Sequence, residues 1–154
     1  MTDIAARLAE LHITLPAPAA PVASYVPAVL AGGLLHISGQ LPFEDGAVVT
    51  GRMEGGDDLT RGVRAARACA IMLLAQIERA LGSLDRVERL VKLGVFVASA
   101  PDFADQPKVA NGASDLMEKV FGEAGRHARS AVGAAALPLG ALVEVDAIVA
   151  VRPD

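Results

Sequence analysis

The chain has 154 residues, a length that suits one domain with its own core. Hydrophobic residues make up 53% of the chain and aromatic residues only 3%, so the core must consist mainly of Ala, Val and Leu. The net charge of −4 offers no basic surface, which argues against a nucleic-acid-binding protein. So many small apolar residues in a short chain favour burial of some apolar surface against other subunits.

Cysteine content and the N-terminal sequence bear on the compartment. The single Cys69 cannot form an intrachain disulfide, which fits a reducing cytoplasm, and we expect it to be buried within an apolar helix. The N-terminus carries an acid at Asp3 and no cationic segment before an apolar block, so we expect no signal peptide. No apolar run reaches the roughly 18 residues that a membrane span needs. The sequence therefore predicts a cytoplasmic protein without a membrane segment.

The N-terminal third of the chain contains a predicted helix and a predicted hairpin. Apolar residues spaced by four and three predict a short amphipathic helix over residues 3–11. The proline-rich segment 15–21 predicts an extended tether. Segments 24–31 and 34–38 are predicted strands, and Gly32-Gly33 between them is a strong hairpin signal. A short edge strand is predicted over residues 47–49.

The middle of the chain predicts two amphipathic helices around a strand. Residues 59–81 carry one continuous apolar stripe, which is typical of a helix packed on a core. Residues 87–98 predict a strand whose apolar stretch favours a central position. Pro107 suits the first turn of the second helix, which we expect to end at Gly122 or Gly125.

The C-terminal run 126–151 predicts two strands joined at Leu-Pro-Leu-Gly over residues 137–140. Arg129 opens the first strand, and Glu144 and Asp146 alternate with an apolar row in the second. We therefore expect Arg129 and Glu144 at the ends of a two-strand unit, near a cleft. The element order predicts an α+β fold, a mixed sheet with two helices packed on one face.

Several kinds of chemistry are not supported by the residues. The three histidines are scattered and there is one cysteine, so zinc-site spacing is absent. No phosphate-loop motif is present, so no nucleotide-phosphate site is predicted. No G-x-S-x-G elbow is present either, so an acyl-transfer function is only weakly supported, although sequence order does not exclude a Ser-His-Asp arrangement. An arginine that opens a strand is usually a surface charge, but Arg129 beside an apolar strand needs an anionic partner, which a bound carboxylate would supply. Pattern alone leaves Glu144 open between a solvated residue and a base, and Tyr25 between packing and hydrogen-bond donation.

Three stretches carry a family resemblance. They are R-S-A-V-G-A-A-A-L-P-L-G-A-L-V-E-V-D-A-I-V from Arg129, H-I-S-G-Q-L-P from His36 with Tyr25 upstream, and L-G-V-F-V-A-S-A-P-D-F from Leu93. In this order they resemble the Rid (YjgF-like) family of imine deaminases, often named endoribonuclease L-PSP. The resemblance runs from about Tyr25 to the end. It implies a chorismate-mutase-like sandwich in a homotrimer, one domain over 1–154, with an N-terminal extension (1–21) and a family core (22–154).

The resemblance also implies a reaction. Family members hydrolyse reactive 2-imino acids or enamines to 2-oxo acids and ammonia in clefts between subunits, with no cofactor and no metal. Arg129 matches the arginine that anchors the substrate carboxylate, and Glu144 matches the acid that positions the attacking water. Ser38 and the Gly39 backbone match the family's contacts on the carboxylate side of the substrate. Tyr25 matches the start of the family's tyrosine strand and is the second catalytic candidate.

The chain departs from the family pattern at three positions, and each bears on specificity. Ala131 stands where cysteine is frequent, His127 where proline is usual, and Ser114 where the second helix usually has an aromatic residue. We expect His127 to add a titratable substrate-binding group near the pocket. Two other functions stay open. One is a non-catalytic protein that binds small carboxylates; the other, which acidity and scarce stacking aromatics disfavour, is an endoribonuclease or translation inhibitor.

Overall fold

The structure is a computed structural model that describes residues 3–18, 20–21 and 23–154. Three helices, a five-stranded sheet and a two-stranded sheet form an α+β fold, as the sequence predicts. The elements are α1 (Ile4–Glu10), β1 (Ala28–Ala31), β2 (Leu34–Gln40), β3 (Phe43–Glu44), β4 (Ala47–Val48), α2 (Thr60–Leu81), β5 (Val87–Ala98), α3 (Gln106–Phe121), β6 (Ala128–Ala134) and β7 (Val143–Val151).

The large sheet is mixed and has the strand order β1-β2-β7-β5-β6. Strands β5 and β6 run parallel, and every other neighbouring pair is antiparallel. β7 therefore lies at the centre and β5 beside it, which confirms the interior position expected for residues 87–98. β3 and β4 pair separately, close to the expected edge strand.

One face of the large sheet is covered by helices and the other is open. Every second residue of β7 is buried on the helix side, and the residues between them are only partly buried. The buried row consists of Val143, Val145, Ala147, Val149 and Val151. α2 contacts β7 and β2, and α3 contacts β5 and β6, so the core lies between these helices and the sheet. We call the opposite side of the sheet the open face.

The helices agree closely with the sequence. α1 buries Ile4 and Leu8, α2 begins one residue after the expected start, and Pro107 is the second residue of α3. α3 ends at Gly122, one of the two expected stops, and a short 3₁₀ turn over Gly122–Gly125 follows. Cys69 is fully buried, as expected for a structural thiol.

Helices α2 and α3 also approach each other closely. A side chain on Gly112 of α3 would overlap the backbone of Val63 on α2. Glycine at this position therefore lets the two helices pack side by side on the sheet.

The first predicted strand was too long. Residues 24–31 were expected to be extended, but β1 begins only at Ala28. Pro27 has no N–H to donate to a ladder, so regular pairing stops there. Tyr25 therefore does not begin a strand; it lies in a bend just before Pro27.

The predicted C-terminal strand pair was wrong. β6 and β7 do not pair, because β5 lies between them and bonds to both. The Leu-Pro-Leu-Gly segment does not close a hairpin. It carries the chain across the end of β5, with left-handed backbone at Leu139 (φ 58°) and Gly140 (φ 70°). This segment is held instead by the loop after β4, since Gly51 N donates to Gly140 O at 3.2 Å and Leu142 N donates to Val49 O at 3.0 Å.

Candidate functional site

The first candidate region is a small cavity beside Tyr25, which we call the Tyr25 cavity. It has a volume of about 80 Å³ and lies where the segment before β1 meets the end of β2. Its wall is mostly apolar, with the Tyr25 ring, the Gly39 backbone and two glutamines as polar elements. The lining residues are Ala20, Pro21, Tyr25, Pro27, Gly39, Gln40, Leu41, Phe43, Gln76 and Leu139.

Ser38 ties the two sides of this cavity together. Its backbone N–H donates to Pro27 O at 2.9 Å, and its hydroxyl donates to Val26 O at 3.0 Å. Both bonds hold the segment that carries Tyr25 against β2. The proton of the Ser38 hydroxyl is therefore engaged with the backbone, and the bond helps to hold the cavity wall.

A pair of buried glutamines supports the cavity from below. Gln76 on α2 donates from Nε2 to Gln40 Oε1 at 3.2 Å, and Gln40 Nε2 donates to Ser38 O at 2.9 Å. Both glutamines are more than nine-tenths buried, so these bonds are shielded from water. Gln76 was not among the residues predicted from the sequence. In the sequence it stands out as the single polar residue in the apolar run 71–77.

Glu144 lies on the open face, against the Gly39 backbone. A side chain at position 39 would overlap the Glu144 carboxylate, so glycine is what allows the carboxylate to sit there. The β2–β7 register shifts between Ile37 and Gln40, which places Gly39 in an irregular part of the strand. Burial raises the pKa of Glu144, and the nearby charge of Asp146 raises it further. Gly39 thus borders both the Tyr25 cavity and a carboxylate of increased basicity.

Asp146 is the second acid of β7. Burial raises its pKa, while a hydrogen bond from the Gly94 backbone and the charge of Lys92 act in the opposite direction. Its carboxylate covers Gly94 in the way that Glu144 covers Gly39. The charge of Asp146 contributes to the raised pKa of Glu144.

The second candidate region is centred on Arg129, and we call it the Arg129 pocket. It has a volume of about 210 Å³ and lies between α3 and the start of β6. Its lining residues are Ser114, Glu118, Gly125, Arg126, His127 and Arg129. Arg129 pairs in register with the buried Leu93, so its side chain points to the helix side of the sheet.

Neutral acceptors hold the Arg129 guanidinium in place. Nη1 donates to Asn111 Oδ1 at 2.9 Å and to Ser114 Oγ at 3.1 Å, and Nη2 donates to the Pro107 carbonyl at 3.1 Å. A guanidinium has five N–H groups, so Nε–H and one N–H of Nη2 remain for another acceptor. Among the ion pairs of the described residues, none involves Arg129. The guanidinium therefore makes no direct ion pair in this part of the chain, although Glu118 also lines the pocket.

His127 and Ser114 extend this network. The Ser114 hydroxyl lies 2.8 Å from His127 Nε2, and His127 Nδ1 lies 2.7 Å from the Gly125 carbonyl oxygen. A carbonyl only accepts, so Nδ1 carries the proton of the neutral ring and Nε2 accepts from Ser114. Burial lowers the pKa of His127, and the charge of Arg129 lowers it further, against opposing contributions from the Gly125 carbonyl and Glu118.

The structure does not bring Arg129 and Glu144 together within one chain. Glu144 pairs in register with Phe96 of β5, whereas Arg129 pairs with Leu93. Their strands are two positions apart in the sheet, which is roughly 10 Å, and three residues on β5 add a further offset of about 10 Å. The two side chains also point to opposite faces.

The predicted site residues thus fall into two groups. Tyr25, Ser38, Gly39 and Glu144 form one group at the end of β2. Arg129 and His127 form the other, beside α3.

The sequence matches the family described as Endoribonuclease L-PSP over residues 15–151. The chain belongs to the endoribonuclease L-PSP, or YjgF-like, family. It is 57% identical over 148 residues to Protein TCP17 of Trypanosoma cruzi, covering 95% of this chain and 92% of that protein.

Two solved structures share the fold of this L-PSP chain. A putative endoribonuclease from Shewanella oneidensis MR-1 has a TM-score of 0.92 at 30% identity, with 97% of this chain and all of that chain covered (100%). Escherichia coli TdcF, solved with bound serine, has a TM-score of 0.62 at 26% identity, with 92% of this chain and 97% of that chain covered.

Two of the departures from the L-PSP pattern turn out to be neighbours in space. His127 and Ser114 are bonded to each other, and Ser114 in turn accepts from Arg129. Ala131 points to the same helix side of β6 as Arg129, and it packs against the core. In the described part of this L-PSP chain, no three or more His, Cys, Asp or Glu side chains gather in a group that could hold a metal ion. No helix there has the length and apolarity to cross a bilayer.

Proposed function

We propose that the protein hydrolyses reactive 2-imino acids and their enamine forms to 2-oxo acids and ammonia. The observation that carries this proposal is the Arg129 guanidinium, which is fixed by three neutral acceptors and keeps two N–H groups free. A substrate carboxylate can accept both of these N–H groups in parallel, as arginine–carboxylate pairs commonly do. The fixed geometry reduces the entropy lost when the carboxylate binds.

Glu144 is proposed as the base. Water attacks the C=N carbon, Glu144 takes a proton from that water, and the nitrogen leaves as ammonia once the tetrahedral adduct collapses. The raised pKa of Glu144 brings its basicity closer to neutral pH, which favours proton transfer. The Tyr25 hydroxyl, at the edge of the neighbouring cavity, is proposed to donate to the substrate nitrogen. This chemistry needs neither a metal nor a cofactor.

The proposed reaction uses both groups of site residues and therefore needs more than one copy of the chain. Because Arg129 and Glu144 point to opposite faces, we infer that the Arg129 pocket of one copy meets the open face of the next, in a homotrimer. The open face exposes Val29, Phe96 and Val132, at 51%, 37% and 47%. Phe96 and Val132 lie in the same register row as Glu144, so a neighbouring copy that covers them would also approach the base.

The N-terminal extension belongs to the same domain as the site in this proposal. We infer one domain over residues 1–154, with residues 1–21 as an extension of the core, in a cytoplasmic protein. The packing of α1 supports this, because Arg7 Nη1 donates to the Lys119 carbonyl of α3 at 2.9 Å. The N-terminal helix is thus attached to the same core as the site.

A coupled assay tests the proposed reaction directly. 2-Aminoacrylate is generated in situ by a pyridoxal-phosphate-dependent dehydratase, and ammonia and 2-oxo acid are followed with and without the protein. We expect faster release with wild type than with Arg129→Ala. Equal rates for buffer and wild type would refute the deaminase function.

Binding of small carboxylates without catalysis is the second candidate, and the serine bound to TdcF supports it. In that case serine should raise the melting temperature of wild type but not of Arg129→Ala, while the coupled assay shows no acceleration. An endoribonuclease function, after which the Shewanella relative is named, gains less support here, since the net charge is −4.

A further inference from the structure

We propose that Ser114 and His127 form a nucleophilic pair that accepts acyl groups from small esters bearing a carboxylate. This would be a second activity, centred on the Arg129 pocket and using none of the chemistry assigned to Glu144. It does not rest on the deaminase proposal.

Ser114 and His127 have the geometry of an activated serine. An activated serine needs a base within hydrogen-bond reach and a third group that orients the base. Ser114 Oγ lies 2.8 Å from His127 Nε2, and the Gly125 carbonyl accepts from Nδ1 at 2.7 Å. The ring is therefore held in the tautomer that can take the serine proton. Here a backbone carbonyl takes the orienting role that a carboxylate has in a Ser-His-Asp triad.

The charge of Arg129 lies next to the Ser114 oxygen. Arg129 Nη1 donates to Ser114 Oγ at 3.1 Å, so a guanidinium stabilises negative charge that develops on this oxygen. His127 is held neutral by burial, which lowers its pKa, and it is thus free to accept a proton. The other charged groups around the ring are Glu118 and Arg126, which line the pocket, and Arg89, which bonds to the Arg126 carbonyl.

A small substrate can reach Ser114 from solvent. Ser114 is only partly buried, and it opens into the Arg129 pocket of about 210 Å³. The two free N–H groups of Arg129 can hold the carboxylate of the ester. Arg126 lines the same space and pairs with Glu123 at 3.7 Å; in this proposal its guanidinium turns to the carbonyl oxygen as that oxygen becomes negative.

The chemical step balances without a further reactant. Ser114 Oγ attacks the ester carbonyl carbon while its proton passes to His127 Nε2. The C–O bond to the alcohol breaks, and the alcohol leaves with the proton from His127. Water then attacks the acyl-serine with His127 again as base, which releases the acid and restores the serine hydroxyl.

The test uses 4-acetoxybenzoate as the acetyl donor and 4-acetoxytoluene as its neutral analogue. We expect intact-mass spectrometry of the full chain to show one acetyl group, which peptide mapping places on Ser114. Acetylation should be faster with the anionic ester than with the neutral one. Ser114→Ala should lose it, and Ser130→Ala, which removes an exposed serine next to Arg129, should keep it.

His127→Gln separates catalysis from packing. Glutamine can still accept a hydrogen bond from Ser114 but cannot take its proton, so we expect acetylation to slow by at least about a hundredfold. In wild type the rate should be constant near pH 7 and fall only below the ordinary pKa of histidine, since the pKa of His127 is lowered. Acetylation at another residue, an unchanged rate in His127→Gln, or neither acetylation of folded wild type nor release of 4-hydroxybenzoate by it would each overturn the proposal.

Discussion

The Arg129 guanidinium and the Glu144 carboxylate lie on opposite faces of one sheet, with β5 between their strands. A small substrate cannot touch both within a single chain. The proposed reaction therefore depends on contact between copies, and each residue can be tested for its own part.

Arg129→Lys should impair deamination almost as much as Arg129→Ala. An ammonium group cannot donate to Asn111, Ser114 and the Pro107 carbonyl and still present two parallel N–H groups. Losing a charge-assisted pair in a partly dry pocket costs about 2–3 kcal/mol, which is roughly 30- to 160-fold in kcat/KM. Steady-state kinetics with the coupled assay measure this loss.

The matched control for Arg129 is Arg67→Ala, at an exposed position of α2. Its kinetics should equal those of wild type. Circular dichroism should show that all three variants are folded. If Arg129→Ala were as active as wild type, the anchor assignment would be wrong.

Glu144→Gln should lower kcat by about a hundredfold or more with a smaller effect on KM, because it removes the base without changing the shape of the side chain. It should also stabilise the fold at neutral pH. Because the pKa of Glu144 is raised in the folded protein, the ionised form opposes folding.

The pH dependence of this stabilisation follows from the direction of the shift. Ionised Glu144 does not destabilise the fold below the ordinary pKa of glutamate, and its destabilising effect is complete above the raised pKa. The melting temperature of Glu144→Gln should therefore exceed that of wild type by a growing margin as pH rises between these two pKa values. Thermal melts from about pH 4 to about pH 8 measure the difference. A variant that is less stable than wild type at neutral pH would contradict the proposed environment of Glu144.

Much of the fold was predictable because its signals are local. The stripe of α2, the Gly32-Gly33 hairpin and the bounds of β5 follow from periodicity and turn residues alone. Strand pairing was not predictable in this way. Nothing in the run 126–151 shows that β5 inserts between β6 and β7, because that placement depends on contacts far apart in the chain.

The site was predictable in part for the same reason. The family resemblance pointed to the candidate residues but did not show on which face of the sheet each side chain lies. The predicted hairpin placed Arg129 and Glu144 together. Ser114 and His127 appeared as separate departures from the family pattern, with His127 expected near the pocket and no role expected for Ser114. Their 2.8 Å contact depends on how α3 packs beside β6, which sequence spacing does not reveal.

Gly39→Ala should reduce turnover while leaving the protein folded. The added methyl group overlaps the end of the Glu144 side chain, which can swing away, so the base is displaced and the backbone is not. Adding Gly39→Ala to Glu144→Gln should then cause little further loss of kcat. Gly112→Ala is the contrasting variant, because its methyl group meets the Val63 backbone and should destabilise the fold. Additive losses in the double variant would show that Gly39 acts independently of Glu144.

Single-stranded RNA should not bind at physiological salt. The arginines of α2 are the nearest approach to a basic cluster, and two of them are paired, Arg61 with Asp57 at 3.2 Å and Arg64 with Glu44 at 2.7 Å. A protein with net charge −4 gains little from counterion release. Fluorescence anisotropy of a labelled RNA across a salt series tests this. Tight binding that weakens steeply with salt would favour the endoribonuclease function.

The open face of the sheet should be the surface that joins three copies. Val132 is 47% exposed and lies in one register row with Phe96 and Glu144, so a neighbour covering this row buries apolar area beside the base. Light scattering of wild type at micromolar concentration should give the mass of three chains. Val132→Glu introduces a charge into the interface and should yield smaller species that have lost deaminase activity yet keep their circular dichroism spectrum. Arg67→Glu, which changes charge on the helix side, should remain trimeric and active. A monomeric wild type would remove the proposed site between copies, and a monomeric Val132→Glu with full activity would show that the reaction needs no contact between copies.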